Sequence, residues 1–318
     1  MPVSAVKVLL CDGVAKRAVD RLKERQFQVE ETKALPENDL IVRLRDKPVD
    51  CLVVRSSTRV TRKVFESQQG LKLVGRAGVG VDNVDVSAAT SAGVKVMNTP
   101  GGNSNAVVEL TLGFMLSLAR QIPKADRSMK EGKWEKKTLM GAELKGKTLG
   151  LLGVGRIGCE VARRARAFGM DILGFDPYLD PEILRDVCEP VSSVEDIYSR
   201  SDYISIHTPL TKETRAMVGR DAIQKMKPGV RIINAARGGI LDEPAIIEAI
   251  RDGKIAGAAL DVYEQEPPVN PDLLRDERLI LAPHIGAATR ESQDTCAEML
   301  SDQIVEFFLN NRVINVVN

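Results

Sequence analysis

The sequence lacks the features that mark several large classes of protein. Its 318 residues carry a formal net charge of only +1, so no global field would attract nucleic acid or a membrane surface. No apolar run reaches the roughly 20 residues that a bilayer-spanning helix needs. The first thirteen residues also lack the long apolar stretch and cleavage site of a signal peptide. We therefore expect a cytoplasmic protein with no nucleic-acid partner and no membrane partner.

Cysteine and histidine are both scarce. The five cysteines are scattered and lack the spacing of metal ligands, so we expect buried free thiols in a reducing compartment and no metal site: Cys11, Cys51, Cys159, Cys188 and Cys296. The two histidines, His207 and His284, each follow a short apolar run. Histidine titrates near physiological pH, which makes these two residues the first candidates for acid and base chemistry.

What the chain does contain indicates an α/β protein of two domains. Its length exceeds that of one ordinary domain, and 43% apolar residues are enough for two cores. In the first hundred residues, short apolar runs alternate with helical patterns, which predicts a parallel sheet wound on both faces. The predicted strands are 6–10, 51–54, 71–75 and 94–97, and the predicted helices are 14–26, 37–45, 61–67 and 86–92.

The pattern is interrupted once and then resumes. A cluster of helix breakers at 98–103 predicts a crossing between domains. Ser104 then precedes an apolar helix, which suits a subunit interface and a core helix equally. Further strands are predicted at 172–176, 202–206, 230–234, 256–260 and 279–282. An amphipathic helix over 289–308 is predicted to pack onto the first domain.

The most specific motif is a Gly-x-Gly-x-x-Gly loop that closes a short apolar strand. Gly153 permits the tight turn, Gly155 lets the backbone approach a pyrophosphate, and Gly158 lets the next helix pack closely. The N-terminus of that helix would face the phosphates. Asp176, which follows Gly158 by eighteen residues, could bind a ribose 2′-hydroxyl and would repel a 2′-phosphate. The motif predicts a Rossmann domain that binds NAD rather than NADP.

Candidate catalytic residues follow the predicted strands of this second half, at the edge where such sheets bind ligands. We interpret His284, which has small neighbours in LAPHIGAAT, as the acid/base, and His207 as a wall of the cofactor site. Glu266 is a candidate to hold the histidine tautomer. Arg237 could grip a substrate carboxylate with two hydrogen bonds, which a lysine could not.

Several stretches together make the sequence similar to a known family over essentially its whole length. They are VRSSTRVT, VGRAGVGVDNVD, VMNTPGGNSNAVVEL, ARQIP, MKEGKWEKK, TLGLLGVGRIG, HTPL, INAARGGILDE, GAALDVYEQEPP and PHIGAAT. The chain resembles the D-isomer-specific 2-hydroxyacid dehydrogenases. Three of these stretches, VRSST, GRAGVGVDN and NTPGGNS, point to the branch that acts on phosphoglycerate.

The resemblance implies a fold and a reaction. The fold is α/β with two doubly wound parallel-sheet domains, in which a Rossmann NAD-binding domain (100–288) is inserted into a flavodoxin-like substrate domain (1–99 and 289–318). The reaction is NAD-dependent oxidation of D-3-phosphoglycerate to 3-phosphohydroxypyruvate, the first step of serine synthesis. The assembly is a homodimer formed through the helix after Ser104, sometimes paired into a tetramer.

The resemblance also assigns roles to individual residues. Arg237 binds the substrate carboxylate, and Glu266 supports His284, the acid/base. The residues that hold the phosphorylated 2-hydroxy acid are Arg55, Ser56, Arg76, Gly78 and Asn103. The residues that contact NAD are Gly153, Gly155, Arg156, Ile157, Gly158, Asp176, His207, Thr208, Pro209, Ala235, Ala236, Asp261, Gly286 and Ala287.

The chain departs from the family pattern in three places. Val79 stands where relatives often carry a threonine that touches the cofactor. Lys136 stands where close animal relatives carry an arginine that reaches the neighbouring subunit's substrate phosphate, and a lysine keeps the charge without the fork. The sequence ends where longer relatives continue into regulatory domains, so feedback inhibition by serine through such a domain is not expected.

Two alternatives remain open. A glyoxylate or hydroxypyruvate reductase, or another D-2-hydroxyacid dehydrogenase of the D-lactate type, would act on unphosphorylated acids, and Arg55 with Arg76 argues against it. A corepressor-like protein that uses the fold to sense NADH would belong to a different class. The joint presence of Arg237, Glu266 and His284 argues against that second alternative, and so does the lack of a low-complexity tail.

Overall fold

The structure, a computed structural model, describes residues 6–318. The described chain divides into two compact units. The first comprises the residues through Ser104 together with Ala287–Asn318, and the second comprises Asn105–Gly286. The domain boundaries predicted from the sequence lie a few residues from these divisions.

Strands and helices alternate along both units, as the hydrophobic pattern predicted. The elements up to the first division are β1 Lys7–Leu10, α1 Lys16–Glu24, β2 Gln28–Glu31, α2 Glu37–Asp46, β3 Cys51–Val54, α3 Arg62–Ser67, β4 Leu73–Arg76, α4 Val86–Ser91 and β5 Lys95–Met97. The next elements are α5 Ser104–Arg120, α6 Ile122–Lys130, β6 Thr148–Leu152, α7 Arg156–Ala167, β7 Asp171–Phe175, α8 Pro181–Leu184, β8 Glu189–Pro190, α9 Val194–Arg200, β9 Tyr203–Ile206, α10 Arg220–Lys225, β10 Val230–Asn234, α11 Glu243–Arg251, β11 Ile255–Leu260, α12 Pro271–Arg275 and β12 Leu279–Leu281. The chain then forms α13 Arg290–Asn310.

The sheet of the first unit has the strand order β2-β1-β3-β4-β5, and all its pairs are parallel. This is the flavodoxin-like order. Every residue of β3 is buried, and alternate side chains enter two separate cores, one on each face of the sheet. The doubly wound fold predicted for this unit is confirmed.

Helix α13 packs onto the first unit, as predicted. Its buried face contains Ala297, Leu300 and Ile304, which share a core with residues of α1 and of the sheet. Gly75 in β4 makes the close approach possible, since a Cβ built there would lie 2.9 Å from the Leu300 Cδ1 atom.

The sheet of the second unit has the order β12-β11-β10-β9-β6-β7-β8, again with parallel pairs throughout. The strand order reverses beside β6, which is the Rossmann arrangement with one further strand. Ile232 and Ile233 are neighbours in β10 and enter different cores on opposite faces. This doubly wound sheet is also confirmed.

Two strands had no signal in the hydrophobic pattern. β2 reads QVEE and has no fully buried residue, and β8 is only two residues long. Both lie at an edge of their sheet, where half of the backbone faces away from other strands. An edge strand needs little apolar side-chain surface, so its sequence resembles a loop.

Two compositional expectations can be checked within residues 6–318. All five cysteines are free thiols, and all but Cys159 are buried. Among the helices described there, none combines the length and apolar content that a membrane span requires.

Candidate active site

The glycine loop between β6 and α7 is shaped by the space that its residues leave. Gly153 has φ +91°, and a Cβ on it would lie 2.8 Å from the carbonyl oxygen of His207. A Cβ on Gly158 would overlap the carbonyl oxygen of Gly153. A Cβ on Gly155, by contrast, would point into open space. The loop is therefore closed on the protein side at two glycines and open at the third, where a ligand backbone could approach.

Asp176 lies at the end of β7, beside this loop. One carboxylate oxygen accepts the backbone N–H of Val154 at 3.0 Å, and the other accepts that of Tyr178 at 3.1 Å. These bonds fix the carboxylate at the strand end, where the sequence predicted a partner for a ribose hydroxyl.

His207 follows β9, the strand next to β6 at the reversal of strand order. Its Nε2 atom lies 3.0 Å from the hydroxyl of Ser205, which is fully buried. The residue keeps some solvent-accessible surface, yet burial of its ring lowers the pKa to about 4. His207 is therefore neutral at pH 7, and its Nε2 atom is engaged with the Ser205 hydroxyl.

A cavity of about 730 Å³ opens at these strand ends within the second unit. Six of the residues predicted to contact the cofactor line it: Gly153, Gly155, Asp176, His207, Thr208 and Pro209. The Thr208 hydroxyl is buried and has no hydrogen-bond partner among residues 6–318, so a polar ligand could satisfy it. The cavity, the Asp176 carboxylate and the open approach at Gly155 together fit a dinucleotide.

The other predicted cofactor residues do not line this cavity. Arg156, Ile157 and Gly158 form the first turn of α7, and Ala235 and Ala236 follow β10. Asp261 and Gly286 belong to the strand ends beyond β10, and Ala287 falls in the first compact unit.

Sequence reasoning missed part of the cavity lining. Tyr178 could have been found, because it follows the predicted acid by two residues. Val194, Tyr198 and Met217 also line the cavity, but they come from α9 and the segment before α10. Nothing in their local sequence indicates that tertiary packing brings them to the glycine loop.

The second group of candidates, Glu266 and His284, forms a hydrogen-bonded pair. The Nδ1 atom of His284 lies 2.8 Å from Glu266 Oε2. A carboxylate only accepts hydrogen bonds, so Nδ1 carries the proton and Nε2 is the nitrogen that remains for a substrate. The backbone N–H of Tyr263 donates to Glu266 Oε1 at 3.2 Å and holds the carboxylate in place. Both side chains remain partly exposed to solvent.

The backbone around His284 is held by Asp261. His284 has φ +54°, a left-handed conformation that is uncommon for residues other than glycine. Asp261, itself buried, accepts the N–H groups of Ile285 and Gly286, each at 2.7 Å. Burial raises the pKa of the Asp261 carboxyl, and these two hydrogen bonds oppose the shift. The turn that presents the imidazole is thus pinned from β11.

Arg237 lies in the turn after β10. Asn234 ends that strand, and its side chain donates to the Arg237 carbonyl at 2.8 Å and accepts from the Ala236 N–H at 3.0 Å. A Cβ on the next residue, Gly238, would overlap the carbonyl of Tyr263. The Arg237 turn therefore packs directly on the segment that leads to Glu266, and the structure brings these two catalytic candidates to neighbouring strand ends.

The residues predicted to hold the phosphorylated substrate lie at the carboxyl edge of the first unit's sheet. Arg55 directly follows β3, and Arg76 ends the neighbouring strand β4. The Arg76 guanidinium lies against Gly78, whose φ is +153°. Ser56 is exposed, and the Oδ1 atom of Asn103 is buried with no hydrogen-bond partner in the described part of the chain. This edge carries two guanidinium groups on adjacent strands.

Comparison with known proteins agrees with this geometry. Residues 112–286 match the family described as D-isomer specific 2-hydroxyacid dehydrogenase, NAD binding domain. The D-3-phosphoglycerate dehydrogenase of Methanocaldococcus jannaschii is 45% identical over 314 residues, which are 98% of this chain and 59% of that protein. A glyoxylate reductase structure from Paecilomyes thermophila matches with TM-score 0.89 and 33% identity, covering 100% of this chain and 99% of that one. The structure of NAD⁺-bound 3-phosphoglycerate dehydrogenase from Entamoeba histolytica matches with TM-score 0.84 and 31% identity, covering 99% of both.

The chain spans about three fifths of the length of the curated relatives it matches. Within that span the likeness is continuous, and it includes the glycine loop of the NAD-binding domain. The two solved structures are matched over almost their whole length. The chain belongs to the D-isomer specific 2-hydroxyacid dehydrogenases.

Proposed function

We propose that the chain uses NAD to oxidise D-3-phosphoglycerate to 3-phosphohydroxypyruvate, the first step of serine synthesis. The observation that carries the proposal is the Glu266–His284 pair, with 2.8 Å between Nδ1 and Oε2. The pair leaves Nε2 as a base for a substrate hydroxyl. The curated relative from M. jannaschii, which is named for this activity, supports the choice of substrate.

Each catalytic residue has a defined task in the proposed reaction. Nε2 of His284 takes the proton of the substrate hydroxyl, and Glu266 stabilises the imidazolium that forms. Arg237 binds the substrate carboxylate through two hydrogen bonds and orients the reacting carbon. NAD, when bound, accepts the hydride. A positioned acid/base of this kind contributes about 10²–10⁴ in rate.

The substrate class follows from the charges at the edge of the first unit. A phosphorylated acid carries at least two negative charges. Arg55 and Arg76 supply two guanidinium groups, which bind phosphate strongly, and Ser56, Gly78 and Asn103 are proposed to complete the site. Lys136, which is exposed, is proposed to contribute charge without a bidentate contact.

The proposed cofactor site also sets the choice between the two dinucleotides. Asp176 presents a carboxylate held by two backbone N–H groups where the ribose would lie. A 2′-phosphate there would meet a fixed negative charge, so NAD is preferred over NADP. The contacts predicted for the residues outside the cavity, from Arg156 to Ala287, belong to the same proposal.

The proposed assembly is a homodimer formed through α5, with a tetramer as the alternative, and the proposed location is the cytoplasm. Support for a subunit interface comes from the segment that follows α5. It exposes large apolar side chains, among them Trp134 at 78% and Met140 at 84% of their surface. Aromatic residues and methionine are enriched at protein interfaces relative to the rest of the surface.

A second candidate is a glyoxylate or hydroxypyruvate reductase, or another dehydrogenase of unphosphorylated D-2-hydroxy acids. The likeness to a glyoxylate reductase structure favours it. An NADH-sensing, corepressor-like protein would bind NADH and turn over none of these acids. The three candidates differ in one measurable property, which is the rate of NADH consumption with each 2-oxo acid.

The deciding experiment follows NADH absorbance with 3-phosphohydroxypyruvate and with hydroxypyruvate, for the wild type, Arg55→Ala and His284→Ala. We expect a strong preference for the phosphorylated acid, loss of that preference in Arg55→Ala, and a fall in turnover of about 10²–10⁴-fold in His284→Ala with NADH binding retained. Equal use of both acids by the wild type would support the reductase. Absence of turnover with either acid would support the NADH-sensing protein.

A further inference from the structure

Asp12 follows β1 and lies beside the loop that carries Arg55, yet no sequence motif singles it out. We propose that Asp12 is a positioning residue for substrate phosphate, acting through residues 55–58 rather than by touching the substrate. The inference rests on the proposed function, because it concerns the same phosphate site.

The Asp12 carboxylate binds both ends of this loop. Its Oδ2 atom accepts the backbone N–H of Arg55 at 2.8 Å and that of Thr58 at 3.1 Å. Its Oδ1 atom accepts the hydroxyl of Thr58, a residue with no exposed surface. One carboxylate therefore fixes the separation and orientation of the two residues that bracket the exposed tip of the loop, Ser56 and Ser57.

Asn83 holds the same two residues from the other side. Its side-chain amide donates to the carbonyl of Arg55 at 2.9 Å and to that of Thr58 at 2.6 Å. The N–H groups of Arg55 and Thr58 are thus bound by a carboxylate, and their C=O groups by an amide. The loop is held as a closed frame without any regular secondary structure of its own.

The Arg55 side chain also returns to Asp12. Its Nη1 atom donates to the carbonyl oxygens of Asp12 and Gly13, both at 3.4 Å. Asp12 has φ +67°, a conformation that asparagine and aspartate adopt more readily than most residues. This backbone conformation brings the carbonyl and the carboxylate of one residue to the same arginine.

The frame occupies a place in the fold where ligands bind. In a sheet of order 2-1-3-4-5, the switch point lies between the first and third strands, outside their carboxyl ends. Asp12 follows β1 and Arg55 follows β3, so the frame spans that point. Three donors from the loop bind the Asp12 oxygens, and the Arg55 guanidinium, 3.4 Å from the Asp12 carbonyl oxygen, opposes the negative charge that the carboxylate keeps. Its charge therefore organises the loop.

The test uses Asp12→Asn, which keeps the size of the side chain but removes one acceptor oxygen and adds an NH₂ group. We expect the KM for 3-phosphohydroxypyruvate to rise about tenfold or more with kcat little changed, because the loss falls on phosphate binding. The KM for hydroxypyruvate should change less than about twofold, since that acid lacks the phosphate.

Asp50→Asn provides the matched control. Asp50 lies at the opposite edge of the same sheet, where it accepts the Lys7 N–H at 2.9 Å and the Lys72 ammonium at 3.1 Å. The Asp50→Asn variant should have lower thermal stability, with the KM for 3-phosphohydroxypyruvate and the KM for hydroxypyruvate both unchanged. If Asp12→Asn does not fold, Asn83→Ala removes the other side of the frame and should raise the same KM.

The outcomes separate the inference from the function on which it rests. Arg55→Ala loses phosphate preference if the proposed function is correct, whatever Asp12 does. An unchanged KM for the phosphorylated acid in the folded Asp12 variant, or in Asn83→Ala if the Asp12 variant does not fold, would overturn the positioning role. An equal loss on both acids would also overturn it, because that result indicates a merely structural residue.

Discussion

The glycine loop of the second unit and the Arg55 loop of the first unit are shaped by different means. The glycine loop is shaped by side chains that are absent, because Gly153 and Gly158 leave no room for a Cβ. In the first unit the side chains of Asp12 and Asn83 bind the backbone of the Arg55 loop. The glycine loop is thus shaped by the absence of side chains, and the Arg55 loop by side chains that hydrogen-bond to its backbone.

The difference explains why the glycine loop has a sequence signature whereas the framing residue Asp12 has none. A close approach of backbone to ligand requires glycine at fixed spacing, and that spacing is visible in the sequence. A side chain that frames a distant loop requires only that folding bring the two together. Asp12 and Arg55 are 43 positions apart, and nothing local links them.

The largest effect is expected where the second unit also uses a carboxylate. Glu266 binds His284 directly, so in the proposed reaction it acts on the acid/base, whereas Asp12 is proposed to act on a binding loop. Glu266→Gln should lower kcat about a hundredfold with NADH affinity retained, because an uncharged partner stabilises the imidazolium less well. Steady-state rates and NADH fluorescence titration measure the two quantities.

The carboxylates of Glu266 and Asp12 can be distinguished by which kinetic parameter changes when each is replaced by an amide. We expect kcat to fall in Glu266→Gln and KM to rise in Asp12→Asn. If Glu266→Gln instead raised KM alone, the two carboxylates would have the same kind of role, and the acid/base assignment of His284 would lose its support.

The hydrophobic pattern was sufficient for most of the fold, since buried parallel strands such as β3 and β10 are short apolar runs. It was insufficient for β2 and β8, because edge strands need little buried surface. For the candidate site, the positions of the glycine loop after β6 and of Asp176 after β7 were predictable from spacing alone. Arg237, Glu266 and His284 could be proposed from their places after strands.

The contacts between the framing residues and the site were not predictable. Asp261 holds the turn of His284 through two N–H groups, and Asn83 holds the Arg55 loop through two carbonyls. Both depend on backbone atoms that every residue possesses, so the sequence of the partner carries no signal. Such contacts emerge only from the tertiary structure.

The next largest effect is expected from alanine substitutions in the glycine loop, which test whether the room for a Cβ atom is what requires glycine there. Gly158→Ala should destabilise the second unit by about 1–3 kcal/mol, because its Cβ would overlap the Gly153 carbonyl. Gly155→Ala should leave stability within about 0.5 kcal/mol, since its Cβ enters open space. It should nevertheless weaken NADH binding about tenfold or more by occupying the approach of the pyrophosphate.

The two alanine variants control for each other when denaturant unfolding and NADH titration are measured on both. Gly158→Ala should lower the free energy of unfolding. Gly155→Ala should lower the affinity for NADH and leave the free energy of unfolding unchanged. Equal behaviour in both assays would mean that the glycines serve the flexibility of the loop rather than its space.

The smallest expected effect is a pH dependence of stability in the second unit, which originates in His207. Burial lowers the pKa of His207 to about 4, whereas an unfolded histidine titrates near 6.5. Between those values the unfolded chain binds more protons than the folded one, so stability falls as pH drops from about 6.5 towards 4. Between pH 7 and 5 the contribution is about 1–2 kcal/mol.

His207→Gln should remove this dependence, because glutamine does not titrate and can still bond the Ser205 hydroxyl. Amide hydrogen exchange in β9, compared between wild type and variant at each pH, measures the local effect. Peptides from β3 in the first unit serve as the internal reference. If the variant and the wild type lost protection equally on acidification, the acid sensitivity of the second unit would originate in other groups, and the cofactor edge would resemble the first unit in its response to pH.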